Sequence, residues 1–169
     1  IIISAIVIIG VQGYKIAEQK AELKIQNAYE EAKVNDSLES FVETHSDTLL
    51  GGFAALELAN KSYEANDYSA ALELYTLAEN GLSSCPLKDK ASIGIAFAHY
   101  QIDQEDGLSA LETLFTDVSI MESVRAEAGY VLLVDAQSKG DEARAKSFAE
   151  TINAFENAGS WKFRISQFL

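Results

Sequence analysis

Residues Leu56 to Glu79 carry two helical stripes of apolar residues, interrupted once at Asn66–Asp67. Small residues recur where two antiparallel helices must touch, namely Ala59 in the first stripe and Ala71 and Ala78 in the second. Two amphipathic helices joined by so short a turn form an antiparallel hairpin. A hairpin of this kind cannot bury its apolar face alone, so it predicts a stack of similar units.

Weaker copies of the second stripe follow along the chain. Ala110 and Ala145 continue the position of Ala71 at intervals of 39 and 35 residues, and a period of about 34 residues is typical of tetratricopeptide repeats. The first hairpin resembles that family at Leu58, Ala59, Asn66–Asp67–Tyr68, Ala71, Tyr75 and Ala78. It departs from the family at one position of the first helix of the hairpin. The family usually has a tyrosine there, and this chain has Ser62 with Tyr63 beside it. The resemblance implies an all-α, right-handed superhelix of about three helical hairpins.

Three segments are expected along the chain. Residues 1–13 are predicted to be a truncated membrane helix, residues 14–47 two anchor-proximal helices, and residues 48–169 the repeat domain with a short C-terminal capping helix from Trp161. Helix starts are predicted at N-caps or capping boxes formed by Asp36 with Glu39, Asp67, Ser119 with Glu122, and Asp141.

The prediction of a membrane anchor depends on the run from Ile1 to Val11, which is uncharged and rich in β-branched residues. A spanning helix needs about 20 apolar residues, so this run is too short by itself. A signal peptide or a buried core helix would also have this length. Tyr14 and Lys15 follow at once, and such a pair favours a membrane–water boundary.

Composition argues against several classes of function. The net charge of −13 argues against nucleic acid, which requires a clustered basic face. His45 and His99 lack a second metal ligand at helical spacing, and Cys85 is the only cysteine. No phosphate loop or nucleophile motif is present. We therefore expect no enzyme activity and no cofactor.

Beyond the repeats, the whole chain resembles the YfgM-type family of ancillary SecYEG translocon subunits of bacteria. The shared features are the anchor, Ala28–Tyr29 with Ala32, the stretch Gly52 to Ala59, Ala98 with Gln101, Ala110–Leu111, Ser138 to Asp141, and Lys162 with Ile165. The resemblance implies a single-pass inner-membrane protein whose repeat domain lies in the periplasm. It implies association with the translocon, periplasmic chaperones or client polypeptides. A structural subunit of another envelope assembly or secretion complex is the alternative.

The partner-binding groove is predicted on the first helix of each hairpin, which lines the concave surface of such stacks. Counting from the alanines selects Asn60 and Tyr63, His99 and Asp103, and Tyr130 and Gln137. Tyrosine, amide and histidine side chains suit an extended polypeptide, because amides bond its backbone and rings cover its apolar side chains.

Overall fold

The computed structural model describes the backbone of residues 2–169 and the side chains of residues 15–169. That backbone forms helices and turns and no strand, so the all-α prediction is confirmed. The helices are α1 (Ile2–Val34), α2 (Leu38–His45), α3 (Leu49–Glu64), α4 (Tyr68–Gly81), α5 (Lys88–Ile102), α6 (Gln104–Thr116), α7 (Glu122–Ser138), α8 (Glu142–Ala154) and α9 (Trp161–Ile165), followed by a 3₁₀ turn at Ser166–Phe168.

The helices pack in two layers. Each helix contacts the next one along the chain, and α1, α3, α5, α7 and α9 also contact one another in that order. Within the described residues, α2, α4, α6 and α8 make no such contacts with each other. Successive odd-numbered helices therefore lie closer to one another than successive even-numbered helices do.

The predicted boundary between residues 47 and 48 does not divide the core. Ala32 of α1 and Phe41 of α2 are buried in the same hydrophobic cluster as Ala54 and Leu58 of α3 and Leu82 after α4. A second cluster extends from α5 to α9, and a small third cluster joins α3, α4 and α5. The second half of α1 and all of α2 are thus packed as one further hairpin on the predicted three.

Two of the predicted caps are confirmed. Asp67 accepts a hydrogen bond from the Ala70 N–H at 3.1 Å, and Asp141 accepts one from the Arg144 N–H at 3.0 Å. Each aspartate follows a residue in the left-handed region, Asn66 with φ of 64° and Gly140 with φ of 76°. That residue ends one helix while the aspartate begins the next.

The two predicted capping boxes are wrong, because both candidate caps take part in other turns. Asp36 has φ of 51° and ends α1, with the Ser37 N–H bonded to the Ala32 carbonyl at 2.9 Å. Ser119 donates its hydroxyl to Asp117 at 2.7 Å, and α7 begins after Met121 without a side-chain cap.

Asp103 caps α6, which therefore begins at Gln104. Pro86 lies in the turn before α5, and α8 ends at Ala154.

The predicted membrane segment, residues 1–13, lies outside the residues whose side chains the structure describes. Over the described residues, no helix combines the length and apolar content needed to cross a bilayer.

Candidate partner-binding groove

The odd-numbered layer carries an open groove of about 290 Å³. Helices α3, α5 and α7 supply its walls, and one side chain of α4 reaches it from the other layer. The lining residues include Leu56 and Asn60 of α3, Tyr75 of α4, Lys90, Gly94 and Phe97 of α5 with Leu87 before it, and Glu127 of α7.

Helical spacing explains why these residues share one surface. On α3, Phe53, Leu56, Asn60 and Tyr63 follow each other at three or four residues, so they form one stripe. On α5, Lys90, Gly94 and Phe97 follow each other at the same spacing and line the same groove. Leu56 and Phe97 are half-buried and Leu87 is exposed, so the groove offers apolar surface to a partner.

Tyr75 connects the two layers at the groove. Its ring packs against Gly94, where an added Cβ would lie 2.4 Å from the ring, so a larger residue would displace it. Its hydroxyl donates a hydrogen bond to the Asn60 Oδ1 at 2.7 Å. Burial, with smaller contributions from Tyr63 and Glu64, raises the pKa of Tyr75 to about 12. The hydroxyl therefore stays protonated and holds the Asn60 amide in place.

An ion pair crosses the groove from α5 to α7. The Lys90 Nζ lies 3.0 Å from the Glu127 carboxylate, and both side chains remain partly exposed. Beyond Asn60, the Gln101 Nε2 donates to the Tyr63 hydroxyl at 3.4 Å. These polar groups of the groove are thus paired across helices, which fixes their positions before any partner arrives.

Of the six predicted groove residues, the structure brings Asn60 and Tyr63 together. Asn60 lines the groove, and Tyr63 lies on the same stripe of α3. Tyr130 and Gln137 lie on α7; the Tyr130 ring packs on Trp161 of α9 at 5.3 Å between centroids, and Gln137 is exposed.

The two residues predicted on the second hairpin lie elsewhere. His99 follows Gly94 by five residues, which places it about 140° away around α5. It shares that side of the helix with Ser92 and Ile95, which line a second depression between α4 and α6. Asp103 is exposed and accepts the Glu105 and Asp106 N–H groups as the cap of α6.

Sequence reasoning missed several residues of the groove, among them Leu87, Lys90, Phe97 and Glu127. The spacing of Lys90, Phe97 and Gln101 is a signal that could have identified the α5 stripe. Glu127 carries no such signal, because it is one acidic residue among many.

Within residues 15–169, no group of three or more His, Cys, Asp or Glu side chains is arranged to hold a metal ion. No protein-family model, curated protein or solved structure matches this chain.

Proposed function

We propose that this chain is a membrane-anchored protein-interaction scaffold that holds a polypeptide in the groove of α3, α5 and α7. The observation that carries the proposal is the chemistry of this groove, where half-exposed Leu56 and Phe97 lie beside the bonded pair of Asn60 and Tyr75. Apolar surface that is shaped in advance by paired polar groups is the usual composition of a binding site.

A tetratricopeptide-like right-handed superhelix is part of the same proposal. Its support is the layer arrangement, in which the odd-numbered helices contact one another and the described even-numbered helices do not. A stack with one layer closer than the other curves toward the closer layer, and solenoids bind partners on such concave surfaces. In this arrangement α9 packs on α7 and α8 as α5 packs on α3 and α4.

We further propose that the partners are translocon subunits, periplasmic chaperones or client polypeptides, and that the protein resides in the bacterial inner membrane with its repeats in the periplasm. The support is the resemblance of the sequence to ancillary translocon subunits and the apolar run from Ile1 to Val11 followed by Tyr14 and Lys15. Deletion of residues 1–13 is expected to release a folded domain from the membrane. An unfolded product would place the apolar run inside the domain.

A structural subunit of another envelope complex remains the second candidate. The same stack could assemble with neighbours through its even-numbered layer, where an open depression of about 500 Å³ lies between α6 and α8. The two candidates differ in which layer contacts the partner and in which proteins are bound.

Affinity capture from detergent-solubilised membranes, followed by mass spectrometry, tests the proposal. Asn60→Lys with Leu87→Lys places two charges in the groove, and Asn80→Lys with Leu77→Lys is the matched control on α4. Leu87 is 40% exposed and Leu77 36%, so both lysines at these positions can reach solvent. Asn60→Lys also removes the acceptor of the Tyr75 hydroxyl, so capture is compared only between variants that circular dichroism shows to be folded.

We expect the groove variant alone to lose translocon subunits or periplasmic chaperones, by at least about tenfold, since 1.4 kcal/mol of lost binding has that effect. Loss in the α4 variant alone would favour the structural-subunit candidate. Unchanged capture by both folded variants would contradict a role for the groove.

A further inference from the structure

The two charges of the ion pair in the groove differ in how freely they can move. The Lys90 Nζ lies 3.0 Å from the Glu127 carboxylate, and the lysine side chain is 44% exposed while the glutamate side chain is 22% exposed. Lysine carries its ammonium on a flexible four-carbon stem, so Lys90 can turn into solvent and keep its hydration. Glu127 has a shorter side chain with less exposed surface, so its carboxylate stays at the groove.

The surroundings of this pair are acidic. Glu64 follows Asn60 by four residues and so lies on the same side of α3. It contributes, after burial and Tyr63, to the raised pKa of Tyr75. Among the described residues that line the groove, Lys90 is the one cation. A cation that enters the groove therefore meets carboxylates, whereas an anion meets one ammonium that is already paired.

The other described Lys and Arg side chains of α3, α5 and α7 are engaged away from the groove. Lys61 pairs with Glu57 on α3 at 3.0 Å. The Arg125 Nε donates to the Phe115 carbonyl at 3.0 Å. Lys88 lines the depression between α4 and α6. These helices thus hold no second cation in place to neutralise Glu127 once Lys90 has moved.

We infer that the groove takes a basic side chain of its partner, which replaces Lys90 as the counter-ion of Glu127. The inference rests on the proposed function, because it names the chemistry of the polypeptide held there. Leu56 and Phe97 line the same groove, so the segment carries apolar side chains beside the basic one. Partly exposed ion pairs contribute little to stability, so the resident pair opens easily. An acidic side chain at Lys90 would leave Glu127 partly buried without a counter-ion.

The charge of the whole chain acts in the same direction. A net charge of −13 attracts cationic segments from a distance, whichever surface they finally contact. A test must therefore separate Glu127 from this general attraction. The chain offers a matched control, because Glu112 and Arg144 form a partly exposed ion pair between α6 and α8 in the other layer.

Peptide binding to the full chain in detergent, followed by fluorescence anisotropy, tests the inference. The labelled peptides share an extended, leucine-containing framework and differ only in a central lysine, glutamine or glutamate. Glu127→Gln and Lys90→Met remove the two members of the groove pair in turn. Glu112→Gln and Arg144→Met do the same for the control pair, and circular dichroism verifies that each variant is folded.

We expect the lysine peptide to bind the parent at least about ten times more tightly than the glutamate peptide. Glu127→Gln should remove most of this preference. Lys90→Met should tighten binding of the lysine peptide about two- to threefold, because Glu127 no longer has a resident counter-ion. The control variants should leave the preference nearly unchanged. A pair with a structural role alone would weaken binding in both groove variants, so the opposite signs separate the two roles.

Equal affinity for the three peptides, or a preference for glutamate, would overturn the inference and leave the groove as a polypeptide site. Weaker binding of the lysine peptide by Lys90→Met would also contradict it. Equal loss of the preference in Glu127→Gln and Glu112→Gln would assign the preference to overall charge and not to the groove. Binding of no peptide by the folded parent would contradict the proposed groove itself, and the inference with it.

Discussion

Two helix contacts of this protein are packed by different kinds of residue. Between α3 and α4 the backbones touch, since a Cβ on Gly52 would lie 2.8 Å from the Gly81 carbonyl carbon, and Ala59 and Ala71 are fully buried. Between α7 and α8 the core is filled by large side chains such as Leu133 and Ile152, with no exposed surface.

Residues that are equally buried can therefore be sensitive to opposite changes in size. Where small residues bring two backbones together, added atoms have no space, and the expected damage comes from enlargement. Where large side chains fill the space between helices, the expected damage comes from truncation, which leaves a cavity. Substitutions at the two kinds of contact should therefore differ in the direction of size change that destabilises the protein.

Leu133→Ala in α7 should have the largest effect. Leu133 is fully buried in the C-terminal cluster, so its truncation should lower the free energy of unfolding by about 2–5 kcal/mol. Urea unfolding followed by circular dichroism measures this change. Val134→Ala at the neighbouring exposed position is the control, with an expected change within about 0.5 kcal/mol. Equal effects of the two would mean that α7 is rotated from the described position.

Ala71→Leu in α4 should destabilise by enlargement. Ala71 packs with Ala59, Tyr75 and Ala98 and has no exposed surface, so the added atoms should cost about 1–3 kcal/mol. The melting temperature should fall accordingly, whereas Ser69→Leu at an exposed position of α4 should leave it nearly unchanged. A parental melting temperature for Ala71→Leu would show that the register of the first hairpin is wrong.

Gly52→Ala in α3 tests the contrast by the sign of its effect. In an ordinary helix this change stabilises by about 1 kcal/mol. Here the new Cβ would approach the Gly81 carbonyl carbon at 2.8 Å and the Leu82 nitrogen at 2.9 Å, so we expect net destabilisation. Differential scanning calorimetry gives the sign, and a raised melting temperature would contradict close backbone packing of α3 on α4.

Tyr75→Phe should have the smallest effect at neutral pH, about 0.5–1.5 kcal/mol, because it removes one hydrogen bond to Asn60. The pKa of Tyr75 is raised from 10.0 to about 12, so its contribution is fully present below pH 10 and is lost as pH rises through 12. Urea titrations at several alkaline pH values should show a shallower decline for Tyr75→Phe than for the parent. Identical declines would contradict the raised pKa.

The sequence was informative where local chemistry and the fold agree. Asp67 and Asp141 could be predicted as caps because each follows a residue suited to positive φ, Asn66 or Gly140. Ser119 could not be excluded, because its bond to Asp117 depends on the path of the loop between α6 and α7. The hairpin of α1 and α2 carries no repeat motif, so its packing on α3 required the structure.

The groove was predictable only where the repeat register was clear. In the first hairpin, the register identified Asn60 and Tyr63 on the stripe that lines the groove. In the second hairpin, the prediction names His99 in place of Phe97, and two residues along a helix amount to a rotation of about 200°. A weak repeat motif predicts that a helix is present, but it does not fix the rotation of that helix about its axis to within one residue.

Photo-cross-linking in intact membranes is the direct test of the proposed binding role of the groove. The photoreactive residue p-benzoylphenylalanine would replace Phe97 in the groove or, as a matched aromatic control, Phe163 of α9, which is 85% exposed. We expect discrete adducts with translocon subunits or periplasmic chaperones from position 97 and not from position 163. Adducts from position 163 alone, or the same adducts from both positions, would contradict it.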